Sequence, residues 1–503
     1  YVFGGGLFIG IDLGTSSLKT VLINDSQKII GHSSQPLKIS NPYDGYYEQD
    51  PKSWFDATTR CFDDLKNNYS KEFRSVKAIG ISGQMHGATL VDKKGNILRP
   101  CILWNDTRSF KECALMEKNY PLLRKETGNL AMPGFTAPKL LWIKENENEI
   151  YKNIYKILLP KDYLRFRLTN SYHTDMSDAS GTLWLNVKDR KWSDNLLELT
   201  GLNASFMPTL VEGSEPTEYL SNDIKNKFGF LNRIIVAGGA GDQAAGAIGS
   251  GVIENKQSMI SLGTSGVYFS PTKEFFPNTN DAVHSFCHCI PDTWHHMSVM
   301  LSATNCLNWI SNLNNIKISD SILKAKYFFE NDFKINSTPY FLPYLSGERT
   351  PHNNPYLRGS FHMINTSTSF ESMIYSVIEG ISFGIKDGFE AVHSVSQKSE
   401  DIYFIGGGSK SDFWGDFISS TLNQEIIVGE DSEFGPALGV ARLSMIATNE
   451  YKNSEIISNM KLIRKNKPSE DTSQILNERY NKWKLIVDAN KHISKNIMEN
   501  TSA

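Results

Sequence analysis

The tetrapeptide Leu-Gly-Thr-Ser occurs twice in this chain, each time between two apolar segments rich in β-branched residues. It stands in "LFIGIDLGTSSLKTVLI" near the start and in "SMISLGTSGVYFS" just past the middle. A tight Gly-Thr-Ser turn between strands collects backbone N–H groups and hydroxyls at its tip, an arrangement able to hold phosphate oxygens. One such hairpin is commonly no more than a turn. Two copies half a chain apart predict duplicated lobes whose hairpin tips face one another. A second pair, "RIIVAGGAGDQAAGAIG" and "DIYFIGGGSKSDFWGDFI", reads as strand, glycine run and helix. That order lays a phosphate or nucleotide against a helix N-terminus. Neither copy fits GxGxxG with an acid twenty residues on, and GxxxxGK[ST] is absent, which argues against a Rossmann dehydrogenase and a P-loop enzyme.

The remaining pattern is α/β. "VKAIGIS" reads as a buried strand, "SFESMIYSVIEGISFGIKDGFEAVH" carries apolar residues at helical spacing, and "GPALGVARLSMIA" reads as a tightly packed helix with a small face. The polar tail from about residue 450 reads as a peripheral helix plus loop. A chain of 503 residues exceeds one ordinary core, and the lobe boundary falls near residue 250. The formal charge of −3 gives no electrostatic case for nucleic acid or an anionic membrane, and no apolar run is long enough for a membrane helix. "YVFGGGLFIGIDLG" lacks a basic start and reaches Asp12 quickly, so it does not read as a signal peptide; "YVFGGG" itself carries no reading. Six irregularly spaced cysteines fit free thiols in a reducing cytoplasm. In "HSFCHC", strand alternation sends His284 and His288 to one face and Cys287 and Cys289 to the other, which opposes a shared zinc.

Nine segments in order resemble the motifs of FGGY-type carbohydrate kinases: "IGIDLGTSSLK", "GISGQMHGATLVD", "ILWNDTR", "PKDYLRFRLTN", "SDASGTLWLNV", "SLGTSGVYF", "FLPYLSGERTPHNNP", "FIGGGSKSDFW" and "FGPALGVARL". The likeness spans about residues 7 to 450. It implies an α/β actin-like ATPase architecture, two ribonuclease H-like lobes around an interdomain cleft. Residues 7–250 would form the N-terminal lobe, with the sugar site and a metal-anchoring acid, and residues 251–490 the ATP-binding C-terminal lobe. Within the family the strongest likeness is to the branch that phosphorylates D-xylulose at its terminal hydroxyl, using ATP and Mg²⁺ in the cytoplasm. A sister kinase for another ketose, a polyol or a sugar acid stays open, because "GGAGD" stands where "GGGD" is usual and Gln243 where an Asn is usual. A non-catalytic ATP-binding member of the actin-like superfamily is the alternative of another class. A homodimer is compatible with the resemblance; no nucleic-acid or membrane partner is expected.

Phosphoryl transfer needs positioning and charge neutralisation more than covalent help. Asp242, one acid among small residues, is the expected catalytic base; read alone, it is a helix cap. The helix start would keep it ionised with a lowered pKa, and its small neighbours would leave room for sugar and phosphate. Asp12, at a strand end before the first turn, would anchor the metal; its bland alternative is an Asx-turn. Thr15, Ser16, Gly263, Thr264 and Ser265 would contact the phosphates, and Gly407, Gly408 and Ser411 the adenine-ribose end of ATP. Met85 and His86 in "GQMHG" would contact the sugar, although a lone His is more often structural. Trp104 would stack on the sugar, Asp106 would bind a hydroxyl and Gln243 would add a contact; core packing is the plain alternative for Trp104. Glu348 and Arg349 receive no chemical task from the sequence.

Overall fold

The computed structural model describes residues 5–500; residues 1–4, which open "YVFGGG", and residues 501–503 lie outside that description. The first half is built on β1 (Leu7–Leu13), β2 (Ser17–Asn24), β3 (Ile29–Pro36), α1 (Pro51–Asn68), β4 (Ala78–Gly83), α2 (Pro160–Thr169), β5 (Pro216–Tyr219), β6 (Ile235–Ala237) and α3 (Asp242–Ser250). Its sheet runs β5-β6-β4-β1-β2-β3, with residues 240–241 pairing alongside the end of β4. The second half uses β7 (Gln257–Leu262), β8 (Gly266–Thr272), β9 (His284–Cys287), β10 (Trp294–Met300), α4 (Phe370–His393), β11 (Asp401–Ile405), α5 (Asp412–Leu422), β12 (Ile426–Gly429), α6 (Gly435–Ala447), β13 (Leu462–Asn466) and α7 (Glu470–Asn500). Its order is β9-β10-β8-β7-β11-β12-β13.

The duplication read from the hairpins is a duplication of topology. β1 pairs antiparallel with β2, β2 with β3, and β1 runs parallel to β4. In the second sheet β7 pairs antiparallel with β8, β8 with β10, and β7 runs parallel to β11. Both central strands are buried on both faces, which explains their continuous apolar runs. Ile9 and Ile11 face a core that includes Trp54 and Phe62 of α1, while Phe8 faces one that includes Val440 and Ala441 of α6.

The outer covers are exchanged between the sheets. Helix α3 follows the first sheet yet lies on the second, with Gly246 against Ile405 and Met259. Helix α6 follows the second sheet yet lies on the first. A Cβ at Gly10 would collide with the carbonyl oxygen of Ala437, and one at Gly80 with that of Val440. The two helices cross with backbone against backbone: a Cβ at Gly439 would overlap the carbonyl oxygen of Ala245, and one at Gly249 that of Gly435. Arg442 locks the crossing, donating from Nη1 to the carbonyls of Ile248 at 2.9 Å and Ser458 at 2.9 Å. The glycines after Asp242 are therefore small for the crossing, which corrects the reading that they make room for ligand.

The tail also departs from expectation. β13 extends the second sheet, and α7 buries Leu476, Tyr480, Trp483 and Val487 in its core. Arg479 pairs with Glu379 of α4 at 2.6 Å. Those four apolar positions recur at coiled-coil-like spacing, but charged residues between them give the segment its polar composition.

Helix propensity alone says that Gly439→Ala stabilises by about 1 kcal/mol. The overlap with Ala245 reverses the sign: we expect a loss of about 1–3 kcal/mol, read as a lower thermal unfolding midpoint. Gly407→Ala, where a Cβ meets nothing within 4 Å, should leave the midpoint unchanged.

Candidate functional site

Neighbouring parallel strands of the first sheet end side by side. Asp12 pairs across from Ser82, and Gly241 from Gly83, so Asp12 and Asp242 reach the same carboxyl edge. Ligands of open α/β sheets bind at that edge. A cavity of about 480 Å³ opens there, walled by Asp242, by Thr15 and Ser16 of the first hairpin, and by Thr264 and Ser265 of the second. The two Gly-Thr-Ser tips share one cavity.

Each tip is held from behind. Trp104 Nε1 donates to Thr15 Oγ1 at 3.0 Å, and Gln49 Nε2 to the Thr15 carbonyl at 3.0 Å. In the second copy, backbone N–H groups of Ala303 and Thr304 reach the carbonyls of Thr264 and Gly263. Gly407, Gly408 and Ser411 do not line the cavity. They follow β11 beside the second tip: a Cβ at Gly408 would touch Leu262, and Ser411 caps α5 by accepting from Trp414 N at 3.2 Å.

Asp242 is the first residue of α3, preceded by Gly241 as cap residue, and its Oδ1 accepts the Gln243 N–H at 2.9 Å. Burial, aided by the negative charge of Asp12, pushes its pKa up to about 7. The expected lowering is thus reversed, because desolvation and a like charge outweigh hydrogen bonds at the helix start. Burial raises Asp12 as well, against the hydroxyl of Ser82, which donates to Oδ1 at 3.0 Å. Two partly desolvated carboxylates at one edge favour neutralisation by a proton or a cation.

The turn carrying Asp242 is braced by a buried ionic cluster. Lys161 Nζ lies 2.7, 2.9 and 3.0 Å from carboxylate oxygens of Asp162, Asp175 and Asp178. Arg165 bonds Asp162 at 2.8 Å and also donates to the Gly238 carbonyl. Ser177, tied to Asp175, accepts the Gly241 N–H at 3.1 Å. Sequence reading missed this cluster because its charges look like surface residues; the only cue was their concentration in "PKDYLRF" and "TDMSDAS".

Met85 packs its sulfur against Gly241, beneath Asp242. His86 is buried with a left-handed backbone, φ 71°. Its Nδ1 lies 2.7 Å from the Gly181 carbonyl, which fixes the proton there and leaves Nε2 as an acceptor. Burial and the Arg349 charge hold its pKa well below the ordinary value, so the ring stays neutral. Trp104 and Asp106 line the cavity, whereas Met85, His86 and Gln243 stand outside its wall. Both oxygens of Asp106 are engaged by Arg108, at 2.9 and 2.7 Å, and Oδ2 also accepts the Tyr47 N–H at 2.7 Å. That clamp gives Asp106 a task different from binding a hydroxyl.

"HSFCHC" forms a seam between the halves. Asn129 donates from Nδ2 to the Ser285 carbonyl at 3.0 Å, and Cys287 N donates to Ser180 Oγ at 3.0 Å. Among the described residues, no group of three or more His, Cys, Asp or Glu is arranged to hold a metal by itself. Magnesium does not require one, since it keeps several waters and takes one or two carboxylates. Glu348 and Arg349 are further cavity residues that the sequence left unassigned. Burial pushes Glu348 up to about 8, although its Oε1 accepts the N–H groups of Leu301 and Arg349, each at 2.9 Å.

Comparison with known proteins adds an independent line. A profile for the N-terminal domain of the FGGY family of carbohydrate kinases matches residues 7–249, and one for the C-terminal domain matches residues 258–448. A xylulose kinase of Escherichia coli strain K12 is 44% identical over 89% of this chain and 91% of its own. One from Bacillus subtilis strain 168 is 34% identical over 89% of each. Among solved structures, a "xyloylose kinase" from Brucella ovis has a TM-score of 0.90 at 41% identity, covering 96% of this chain and 99% of that one.

The Asp242 environment carries a signed consequence for stability. A carboxyl whose folded pKa is about 7, against an ordinary 3.8, binds its proton more tightly in the folded chain. Stability contributed by that group therefore falls as pH rises from about 4 to 7. Asp242→Asn removes this term. Its unfolding midpoint relative to the unsubstituted chain should climb between pH 4.5 and 7.5 and then level, in thermal melts across that range. A difference independent of pH would refute the assignment.

Proposed function

The chain belongs to the FGGY family of carbohydrate kinases, and we propose that it transfers the γ-phosphoryl group of ATP to the terminal hydroxyl of D-xylulose, giving D-xylulose 5-phosphate. The observation that carries the mechanism is Asp242: a carboxylate with its pKa near 7, on the wall of a cavity shared by two phosphate-type turns. The identity of about 44% to a xylulose kinase across most of both chains supports the choice of sugar.

In this reading Asp242 orients O5 and accepts its proton as the O5–phosphorus bond forms and the bond to the β-phosphate oxygen breaks. ADP leaves, and the proton passes from Asp242 to water. A group that titrates near neutral pH is matched to this task. Thr15, Ser16, Gly263, Thr264 and Ser265 hold phosphate oxygens; Gly407, Gly408 and Ser411 flank the nucleoside end. Met85 supports Asp242 from below, His86 offers a neutral acceptor, and Trp104 supplies a flat wall. Asp12 fits as the anchor for Mg²⁺, because its half-buried carboxylate, among the described residues, accepts a side-chain hydrogen bond from the Ser82 hydroxyl alone and stands at the same edge as Asp242. Bound there with ATP, the ion would neutralise phosphate charge. Residues 7–250 thus carry the metal anchor, the catalytic acid and one phosphate turn, and residues 251–490 the second phosphate turn and the nucleoside end. The α3–α6 crossing between the sheets is the natural pivot for closure that excludes water. Six buried cysteines, none in a disulfide, support a reducing cytoplasm as the site of action.

The test is ADP release with D-xylulose, D-ribulose, L-ribulose, L-xylulose, glycerol and gluconate. D-xylulose should dominate kcat/KM; a different preferred sugar would replace the substrate, and no sugar-stimulated release would reject a kinase. Asp242→Asn should lower kcat by about 10²–10⁴-fold while the KM for ATP stays within twofold. Since the base must be ionised, kcat/KM for the unsubstituted enzyme should rise with pH and level above about 7.

A further inference from the structure

Arg349 belongs to the second half of the chain, yet its guanidinium is seated in a socket made by the first. Nη2 donates to the main-chain carbonyl of Trp104 at 2.9 Å, and Cζ stands 5.7 Å from the centre of the Trp104 ring. The socket exists because residue 134 has no side chain: a Cβ at Gly134 would collide with both the guanidinium and the Trp104 carbonyl. The Gly134 position is itself fixed. Lys139 Nζ donates to the Gly134 carbonyl at 2.8 Å and to the His86 carbonyl at 3.1 Å, so one buried ammonium holds the socket and the "GQMHG" segment together.

The guanidinium bonds a carbonyl and not a carboxylate. Its sequence neighbour Glu348 directs Oε1 to the N–H groups of Leu301 and Arg349. The other titratable groups that feel its charge, His86, His284 and Lys139, are all of basic type. Glu348 is the acid whose charge it feels, but its Oε1 accepts main-chain N–H groups and makes no ion pair with the guanidinium. A half-buried cation left so is costly unless oxygen acceptors complete it. Arg349 lines the cavity, and a guanidinium has five N–H donors in a rigid fork. Its support is shared with His86 through Lys139, which ties it to the "GQMHG" segment that the reading above assigns to the sugar.

We propose that Arg349 is a substrate-contacting, specificity-determining residue, whose guanidinium hydrogen-bonds sugar oxygens remote from the phosphorylated hydroxyl. This inference rests on the sugar-kinase reading above. A ligand held in this way is gripped by both halves at once: Asp242 of the first orients the reacting hydroxyl, and Arg349 of the second holds the opposite end.

The experiment compares the unsubstituted enzyme with Arg349→Ala and with Arg349→Gln, which keeps a donor for the Trp104 carbonyl but loses the charge and the fork. Steady-state kinetics with D-xylulose and ATP are measured with and without tens of millimolar guanidinium chloride. In both variants the KM for D-xylulose should rise about 10- to 100-fold, the range for losing a hydrogen bond to a charged group, with the KM for ATP within twofold. Guanidinium should restore part of the loss in Arg349→Ala. A sugar KM within twofold in Arg349→Gln, an equal rise in both KM values, or no rescue of Arg349→Ala would overturn the inference and leave a strut between the halves. If the unsubstituted enzyme does not phosphorylate D-xylulose, the substrate reading fails first, before either variant is made.

Discussion

Everything else in this molecule depends on two helices that touch through their backbones. α3 and α6 approach so closely that carbonyl oxygens of Ala245 and Gly435 fill the places of side chains at Gly439 and Gly249. Contact at that distance requires residues without a Cβ, and it lets each helix reach past the other onto the opposite sheet. Without the exchange, Gly10 and Gly80 would line an uncovered groove on the first sheet. With it, two separately folded-looking sheets share one core, and the helix that begins at Asp242 is anchored in both.

That anchoring sets the electrostatics. Asp242 is fixed at the start of a buried helix, on the same sheet edge as Asp12 with β4 between them, and both acids are half-buried. Hydrogen bonds at a helix start are worth about 1 kcal/mol, whereas desolvating a carboxylate beside a like charge costs more, so the acid titrates high. Buried ion clusters seldom add stability over a well-packed apolar core. The cluster of Lys161, Asp162, Arg165, Asp175 and Asp178 is better understood by what it holds, the glycine-rich turn that would otherwise leave Asp242 free to wander.

The sequence was most legible where structure is local. Strand–turn–strand and strand–glycine–helix units announce themselves within twenty residues, and the cavity is where their tips converge. The helix exchange was hidden because Gly246, Gly249, Gly435 and Gly439 acquire their meaning from partners nearly two hundred residues away; within their own segments they resemble ligand-binding glycines. The tail was misjudged because charged neighbours masked its apolar stripe. Arg349 gave no signal because its socket is made by Gly134 and a main-chain carbonyl, neither of which reads as a partner in sequence. Asp106 looked like a ligand group and proved to be occupied by Arg108, two residues along.

The exchange of helices has a consequence for the birth of the chain. The first sheet is complete once α3 has been made, but the helix that covers its second face ends about two hundred residues later, at Ala447. At roughly 5–20 residues per second, translation leaves that face bare for some tens of seconds. During that interval Phe8, Val21 and Ala78, all buried in the finished fold, have no cover of their own. Nascent chains of this design must therefore shelter an apolar groove in time as well as in space.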